Sequence, residues 1–539
     1  MRCIDKDSAD YPSKCILTIL VLSITTTEFS IVAVLEDSTL QLSDGVPISQ
    51  GANAGSLQHY SFTPSSDGNA TILLTVFLGN PIIYLSSVEK MPDKNSDNTV
   101  INNNILSGKL PIVIFPARQN SPLYIGVGGD DDATYTIRAD LDTPSHPQIF
   151  QLLNGVVQND FLYSNSWKYY AMTLHAGYES VDVNVVGGAN IMDVLISTCP
   201  LTDASLCTGI DNEGSYTNPS FLPNVTYNIA SSFHQVVHVI NIKRTERYSV
   251  TYIVGVKSSA VDMSEFSISM SLDKSKVELR AGFSVMGHVE PKETNHYNFF
   301  LSNAVDSGSQ ILRVTVTPLS GDPDLIVMSP TGRVWKSMAY GLDSITIDPY
   351  TDPDACSNCQ YTILVTSDYS CTYSLIAKDE KTVSHLEDGH PVDDAVGPND
   401  INHYTFRNSY TDSRDMTVSL VPISGDPVLL VSLNGENPTW QKYEYIADNE
   451  YDGGAQYISI LRTDPAYLPC KVTSCLVRVG VTSSKGATYS LTLTSTLTPT
   501  LLQSDKVRGG HVGADQTNVY KVIVDRPSYT FQLSITQIS

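Results

Sequence analysis

Along most of this chain apolar and polar residues alternate with a two-residue period over short runs, and apolar residues almost nowhere recur at helical spacing. Five of these runs resemble one another: HYSF (59–62), KYYAM (168–172), HYNFF (296–300), HYTF (403–406) and VYKV (519–522). The period places Tyr60 with Phe62, Tyr297 with Phe299 and Tyr404 with Phe406 on one buried strand face. Tyr170 and Tyr520 hold the matching places in the other two runs. Fifteen residues before the tyrosine stands a turn glycine in four copies, Gly45, Gly155, Gly282 and Gly389; before Tyr520 the place is taken by Asp505. An interval held four times marks an internal repeat.

Each tyrosine run leads to an alternating strand and then a turn. Leu312, Val314 and Val316 run into Gly321-Asp322-Pro323 and Asp324, and Met416, Val418 and Leu420 into Gly425-Asp426-Pro427. The first copy has Gly79-Asn80-Pro81 and the second a degenerate Gly188-Ala189-Asn190. Glycine permits positive φ, Asp or Asn bonds a nearby amide, and proline stops the ladder. Paired closing signatures follow: YIGV with YTI, YIVGV with FSI, YTILV with YSL, and LVRVGV with YSL. The predicted modules run 34–142, 143–273 (divergent), 274–379 and 380–496, with an incomplete fifth at 497–539. Short strands and frequent turn residues predict an all-β chain of tandem antiparallel β-sandwich, jelly-roll-like modules, strung as beads on short linkers. The final ITQIS matches the approach to the earlier Gly-Asp-Pro turns, so continuation past Ser539 is expected, with strand exchange between molecules as the alternative.

Charge narrows the partners. With 33 Lys plus Arg against 57 Asp plus Glu, a net of −24, the surface repels phosphate backbones and excludes nucleic acid as a partner. Residues 1–33 contain a short apolar run, Cys15 to Thr27, behind basic residues, which reads as a secretory signal, or less readily an anchor. Close cysteine pairs in a secreted chain read as disulfides: Cys199–Cys207, Cys356–Cys359 and Cys470–Cys475, with Cys371 as an alternative partner for Cys359. Sequons at Asn69 and Asn224 predict glycosylation. The mature chain is expected outside the cell or on its surface.

A glycine turn, a Tyr-x-Phe strand, SGDPDL with an apolar run, then YxxxV and YSL together resemble the bacterial pre-peptidase C-terminal domain. That family consists of small β-sandwiches appended to secreted proteases and found in tandem in protist surface proteins. Related folds include collagen-binding modules, some of which bind calcium. The resemblance is strongest over 274–379 and weakest over 143–273; Asp324 of the DPDL pattern is replaced by Val428 in the fourth copy. It implies a fold more than an activity.

Catalytic constellations are missing from the sequence. HQVVH (234–238) lacks a metalloprotease glutamate and lies in a strand-like run, and no nucleophile elbow, P-loop or dinucleotide fingerprint is present. His59, His296 and His403 flank the core tyrosines on the outward face; Trp335 and Trp440 sit at matching packing positions. The acidic loops Asp130-Asp131-Asp132 and Asp348, Asp352 and Asp354 offer the oxygen ligands calcium takes, but neither has EF-hand spacing and both read as solvated. No cofactor is expected. The reading is a non-enzymatic extracellular repeat protein, a scaffold, adhesin or filament subunit that associates with itself or with extracellular proteins or glycans. The alternatives are an accessory region of a larger secreted hydrolase, or a calcium-dependent matrix- or carbohydrate-binding array.

Overall fold

Alternation of burial along the strands matches the alternation of sequence. Asp343–Ile347 reads buried-exposed-buried, and Cys359–Thr366 keeps Tyr361, Ile363 and Val365 inside. The computed structural model describes residues 39–535, less 97–99, 103–110, 143–148, 164, 175–179, 188–190, 201–224, 231–236, 244–249, 259–263, 273–274, 302–310, 380–381, 409–414, 449–454, 468–474, 497, 504–505, 507, 509–511, 513–516 and 525–531. Among the described residues helical backbone is confined to one 3-10 turn, Pro465–Tyr467, and no helix is long and apolar enough to cross a membrane.

The first repeat supplies two sheets. The five-stranded one has the order Leu40–Leu42, Leu57–Phe62, Leu123–Gly128, Ile82–Ser86, Val100–Asn102. The four-stranded one has the order Ile48–Ala52, Ala133–Asp142, Gly68–Leu78, Ile112–Ala117. The same two orders recur in the second, third and fourth repeats. Each repeat encloses one cluster of buried side chains, centred on Tyr60, Tyr170, Tyr297 or Tyr404.

Two features were not foreseen. The sheets are mixed, because each five-stranded sheet opens with a parallel pair: Leu40 beside Tyr60, Phe150 beside Tyr170, Val277 beside Tyr297 and Ser384 beside Tyr404. The fifth copy begins the same way, Thr500 lying beside Tyr520. The second feature is contact that skips a repeat. Arg407 of the fourth repeat is ion-paired with Glu265 of the second. Gln503 of the fifth donates to the Pro318 carbonyl of the third at 3.2 Å. Val186, Met286, Leu319 and Leu501, from the second, third and fifth repeats, share one buried cluster.

The expected fold class, tandem antiparallel β-sandwich modules as beads on a string, is therefore corrected. The chain is all-β, but its sheets succeed one another as a β-solenoid-like array, Asp37–Ser539 forming one compact unit. In such an array the interface between repeats is a structural term of its own. Strand periodicity reports which face of a strand is buried and carries no information on what lies beyond the sheet, which is why the beads picture failed.

Candidate functional site: the repeat junctions

The turn glycines sit where one repeat meets the next. Gly45, Gly155, Gly282 and Gly389 all adopt positive φ, between 71° and 77°. Each donates its N–H back into its own repeat, to Ala139, Met270, Ala377 and Leu493 respectively. Each then accepts, on its carbonyl, an N–H from the opening segment of the following repeat: Gln151, Glu278, His385 and Leu501. The next backbone comes so close that a Cβ on Gly155 would lie 2.5 Å from the Lys276 carbonyl oxygen, and one on Gly389 2.3 Å from that of Pro499. Glycine is thus demanded twice, by φ and by approach.

Five residues beyond the glycine, the second and fourth repeats carry Asp160 and Asp394, both buried. Asp160 takes Arg138 of the first repeat at 2.6 Å, Lys168 at 2.5 Å and the Tyr170 hydroxyl at 2.7 Å. Asp394 takes Lys378 of the third repeat at 2.5 Å and the Tyr404 hydroxyl at 2.7 Å, with Arg313 at 3.4 Å. Burial works to raise both carboxyls, but the surrounding cations hold Asp160 and Asp394 below the usual carboxylate range. Arg138 also forks onto Asp140, both bonds 2.7 Å, and its guanidinium lies 4.1 Å from the Phe150 ring centroid. These pairs were not found in the sequence. The signal was an aspartate at glycine plus five, present in GVVQND and GHPVDD and broken by Gln50 and Gly287 in the other copies.

The core tyrosines bridge the two sheets of a repeat. Tyr60 meets Tyr135 hydroxyl to hydroxyl at 2.9 Å, Tyr297 meets Tyr373 at 2.8 Å, and Tyr404 meets Tyr489 at 2.8 Å. In the second repeat Phe266 stands opposite Tyr170, which turns to Asp160 instead. Burial pushes these phenols up, Tyr60 above its ordinary value despite the bond from Tyr135, so they stay neutral. Tyr520 is half exposed on Tyr520–Val522.

Between the second, third and fourth repeats lies a second charged cluster. Arg280 stacks on Phe283, its guanidinium carbon 3.4 Å from the ring centroid, and Phe283 stacks on His385 at 5.0 Å. Burial and the Asp388 charge push Glu387 up to about 7 against the pull of Arg280. Burial together with Arg280 and Arg407 lowers His385 to about 3, so its ring is neutral.

Gly79, Gly321 and Gly425 take positive φ at the turns. Asp322 Oδ1 accepts the Gly341 N–H at 3.0 Å; Pro323 is buried, and Asp324 opens Asp324–Met328. Asp426 and Pro427 occupy the same turn in the fourth repeat, where the Pro427 carbonyl accepts from Gln456 at 2.6 Å. Cys356 and Cys359 are disulfide-bonded, and Cys371 is buried. Cys207, Cys470 and Asn224 lie outside the described residues, as do the side chains of Cys199 and Cys475. Asn69 is exposed on Gly68–Leu78. His59, His296 and His403 are half-buried rather than solvated, His403 Nε2 lying 3.0 Å from the Pro438 carbonyl. Trp335 packs against the core and donates to Asp352, whereas Trp440 is 43% exposed. Asp348 and Asp352 cap the amides of Tyr350 and Asp354 within their own loop, and Asp132 accepts from the Ala54 amide. Among the described residues no three His, Cys, Asp or Glu side chains are already gathered as metal ligands.

No family model and no curated protein matches the sequence. Among solved structures, the major capsid protein P2 of bacteriophage PM2 aligns over 41% of this chain and 96% of its own, at 11% identity and a TM-score of 0.13. The arabinofuranosyltransferase AftD from Mycobacteria aligns over 61% of this chain and 32% of its own, at 8% identity and TM-score 0.11. A DUF4785 family protein from Legionella pneumophila aligns over 63% and 83%, at 11% and 0.10. At such TM-scores none of them bears on function.

Proposed function

We propose that this protein is a non-enzymatic extracellular structural array, in which rigidly coupled β-repeats hold binding or assembly surfaces at set spacings on a scaffold, adhesin or filament. The observation that carries this reading is the coupling across repeats. A hydrogen bond on every turn glycine joins each repeat to the next, and the Glu265–Arg407 and Pro318–Gln503 contacts join it to the next but one. Flexible tethering of a catalytic domain needs no such coupling, whereas a load-bearing or ruler-like element does.

The acidic balance, 57 Asp plus Glu against 33 Lys plus Arg, fits a surface that stays dispersed until a specific partner is met. The test is mechanical. Single-molecule pulling on the chain, anchored at engineered termini, should give coupled rupture of neighbouring repeats. Independent, equally spaced unfolding of one repeat at a time, together with scattering that requires freely jointed repeats, overturns the reading.

A further inference from the structure

The third and fourth repeats share one backbone frame at the Gly-Asp-Pro turn, and their side chains there differ in kind. In the fourth repeat Val428 pairs with Thr482, Leu420 pairs with Gln456, and Ser484 follows Thr482 by two residues. In the third, Asp324 pairs with Thr366, Val316 pairs with Asp343, and Asp368 follows Thr366 by two. The fourth repeat therefore surrounds Asp426 with Val428, Gln456 and Ser484, while the third surrounds Asp322 with Asp324, Asp343 and Asp368. The frame folds without these three extra carboxylates, so the fold does not explain them.

Asp343 is the informative member. In the fourth repeat the side chain at its place is neutral, and Gln456 Nε2 donates to the turn carbonyl of Pro427 at 2.6 Å. A carboxylate in that place offers an acceptor toward the turn instead of a donor. Asp343 Oδ1 accepts from the Ser337 hydroxyl and from the Ala339 N–H at 3.0 Å. Asp343 Oδ2 is buried with no hydrogen-bond partner, on a residue that is 0% exposed. A buried carboxylate oxygen without a donor is costly. The carboxylates whose charges bear on Asp324 are Asp343, Asp322 and Asp368, all of one sign. Like charges and an unpaired buried oxygen are both relieved by a cation.

We propose that the third repeat holds a site for a hard divalent cation of the calcium class, built from Asp343 Oδ2, the Pro323 carbonyl and the carboxylates of Asp322 and Asp324, with Asp368 at its rim. Oxygen donors of this kind suit calcium, which accepts irregular sets of six to eight oxygens completed by water. Asp322 and Asp324 are half-buried and Asp368 exposed, so their side chains can turn onto an ion held by Asp343. The bound ion would fasten the turn to Asp343–Ile347 and so stiffen the edge where the two sheets of this repeat meet. The site is separate from the Asp348, Asp352 and Asp354 loop, whose carboxylates are engaged by their own backbone.

The experiment compares the full chain with Asp343→Gln and Asp324→Val, which install the residues the fourth repeat already carries and so should fold. After chelation, calcium chloride is titrated while Tm and amide hydrogen exchange are followed. The native chain should gain Tm with saturation, and protection should rise at 321–325 and 343–347. Asp343→Gln should be more stable than the native chain in chelator, and should bind calcium at least tenfold more weakly. A variant of Asp348 and Asp352 to Asn should keep the response. The proposal is overturned if calcium leaves the native chain unchanged, if Asp343→Gln responds as the native chain does, or if protection appears only in the 348–354 loop.

Discussion

Replacing Gly155 by alanine, set against the same change at Gly55, separates the two demands made on a junction glycine. The two have nearly one backbone conformation, φ 71° and 72°. Alanine in the left-handed region costs roughly 1–2 kcal/mol. At Gly55 nothing lies within 4 Å of the added Cβ, so that is the whole cost. At Gly155 the Cβ would meet the Lys276 carbonyl oxygen at 2.5 Å and Val277 Cα at 3.5 Å. That backbone cannot retreat without losing the Glu278 N–H bond to the Gly155 carbonyl, 3.1 Å, and disturbing the pairing of Val277 with Tyr297. Overpacking adds on the order of 1–3 kcal/mol and the lost hydrogen bond about 1 kcal/mol. Gly155→Ala is thus expected to cost roughly 3–6 kcal/mol, against roughly 1–2 for Gly55→Ala. Urea unfolding can be followed by fluorescence of Trp167, Trp335 and Trp440, which lie in the second, third and fourth repeats. Gly155→Ala should separate the Trp167 transition from the others and release protection at Lys276–Glu278. Equal costs at the two glycines, with that protection intact, would refute the assignment of Gly155 to a junction.

Tyr60→Phe should cost about 1–3 kcal/mol by leaving the buried Tyr135 hydroxyl unpaired, and Tyr60→Phe with Tyr135→Phe clearly less than the sum of the single changes; additive single costs in a thermal-denaturation cycle would remove the sheet-bridging role. Asp394→Ala should cost about 3–5 kcal/mol, because Lys378 stays buried without its partner, while Lys378→Met with Asp394→Leu should recover most of it; equilibrium unfolding that finds the single change neutral contradicts the ion pair. Glu387 is raised in the folded protein to about 7, above its ordinary value, so the native state holds that proton longer than the unfolded one. Its contribution is therefore full at low pH and is lost as pH rises through about 7; denaturant midpoints should decline between pH 5 and 8, less so in Glu387→Gln, and a profile unaltered by the substitution counts against it. Non-reducing peptide mapping should recover Cys356 linked to Cys359; a Cys359–Cys371 peptide would contradict the structure.

Local chemistry was legible because it is written in short-range pattern. Alternation located the strands and the inward faces of Tyr60, Tyr297 and Tyr404, and a glycine fifteen residues upstream marked a backbone position with positive φ. The sequence by itself thus determined the all-β content, the repeat and its turns, since these depend on side-chain period and on φ preferences of single residues. What the glycine was for, and what stands beside each strand, it did not determine. The partners of Asp160 and Asp394 are Arg138 and Lys378, on the far side of a repeat boundary, and the partner of Arg407 is Glu265, two repeats away. Charged residues carry no periodic mark that separates a buried pair from a solvated face, because the difference lies in the water removed when two sheets close over them. Only the tertiary structure decides that, and with it the change from independent beads to a coupled array.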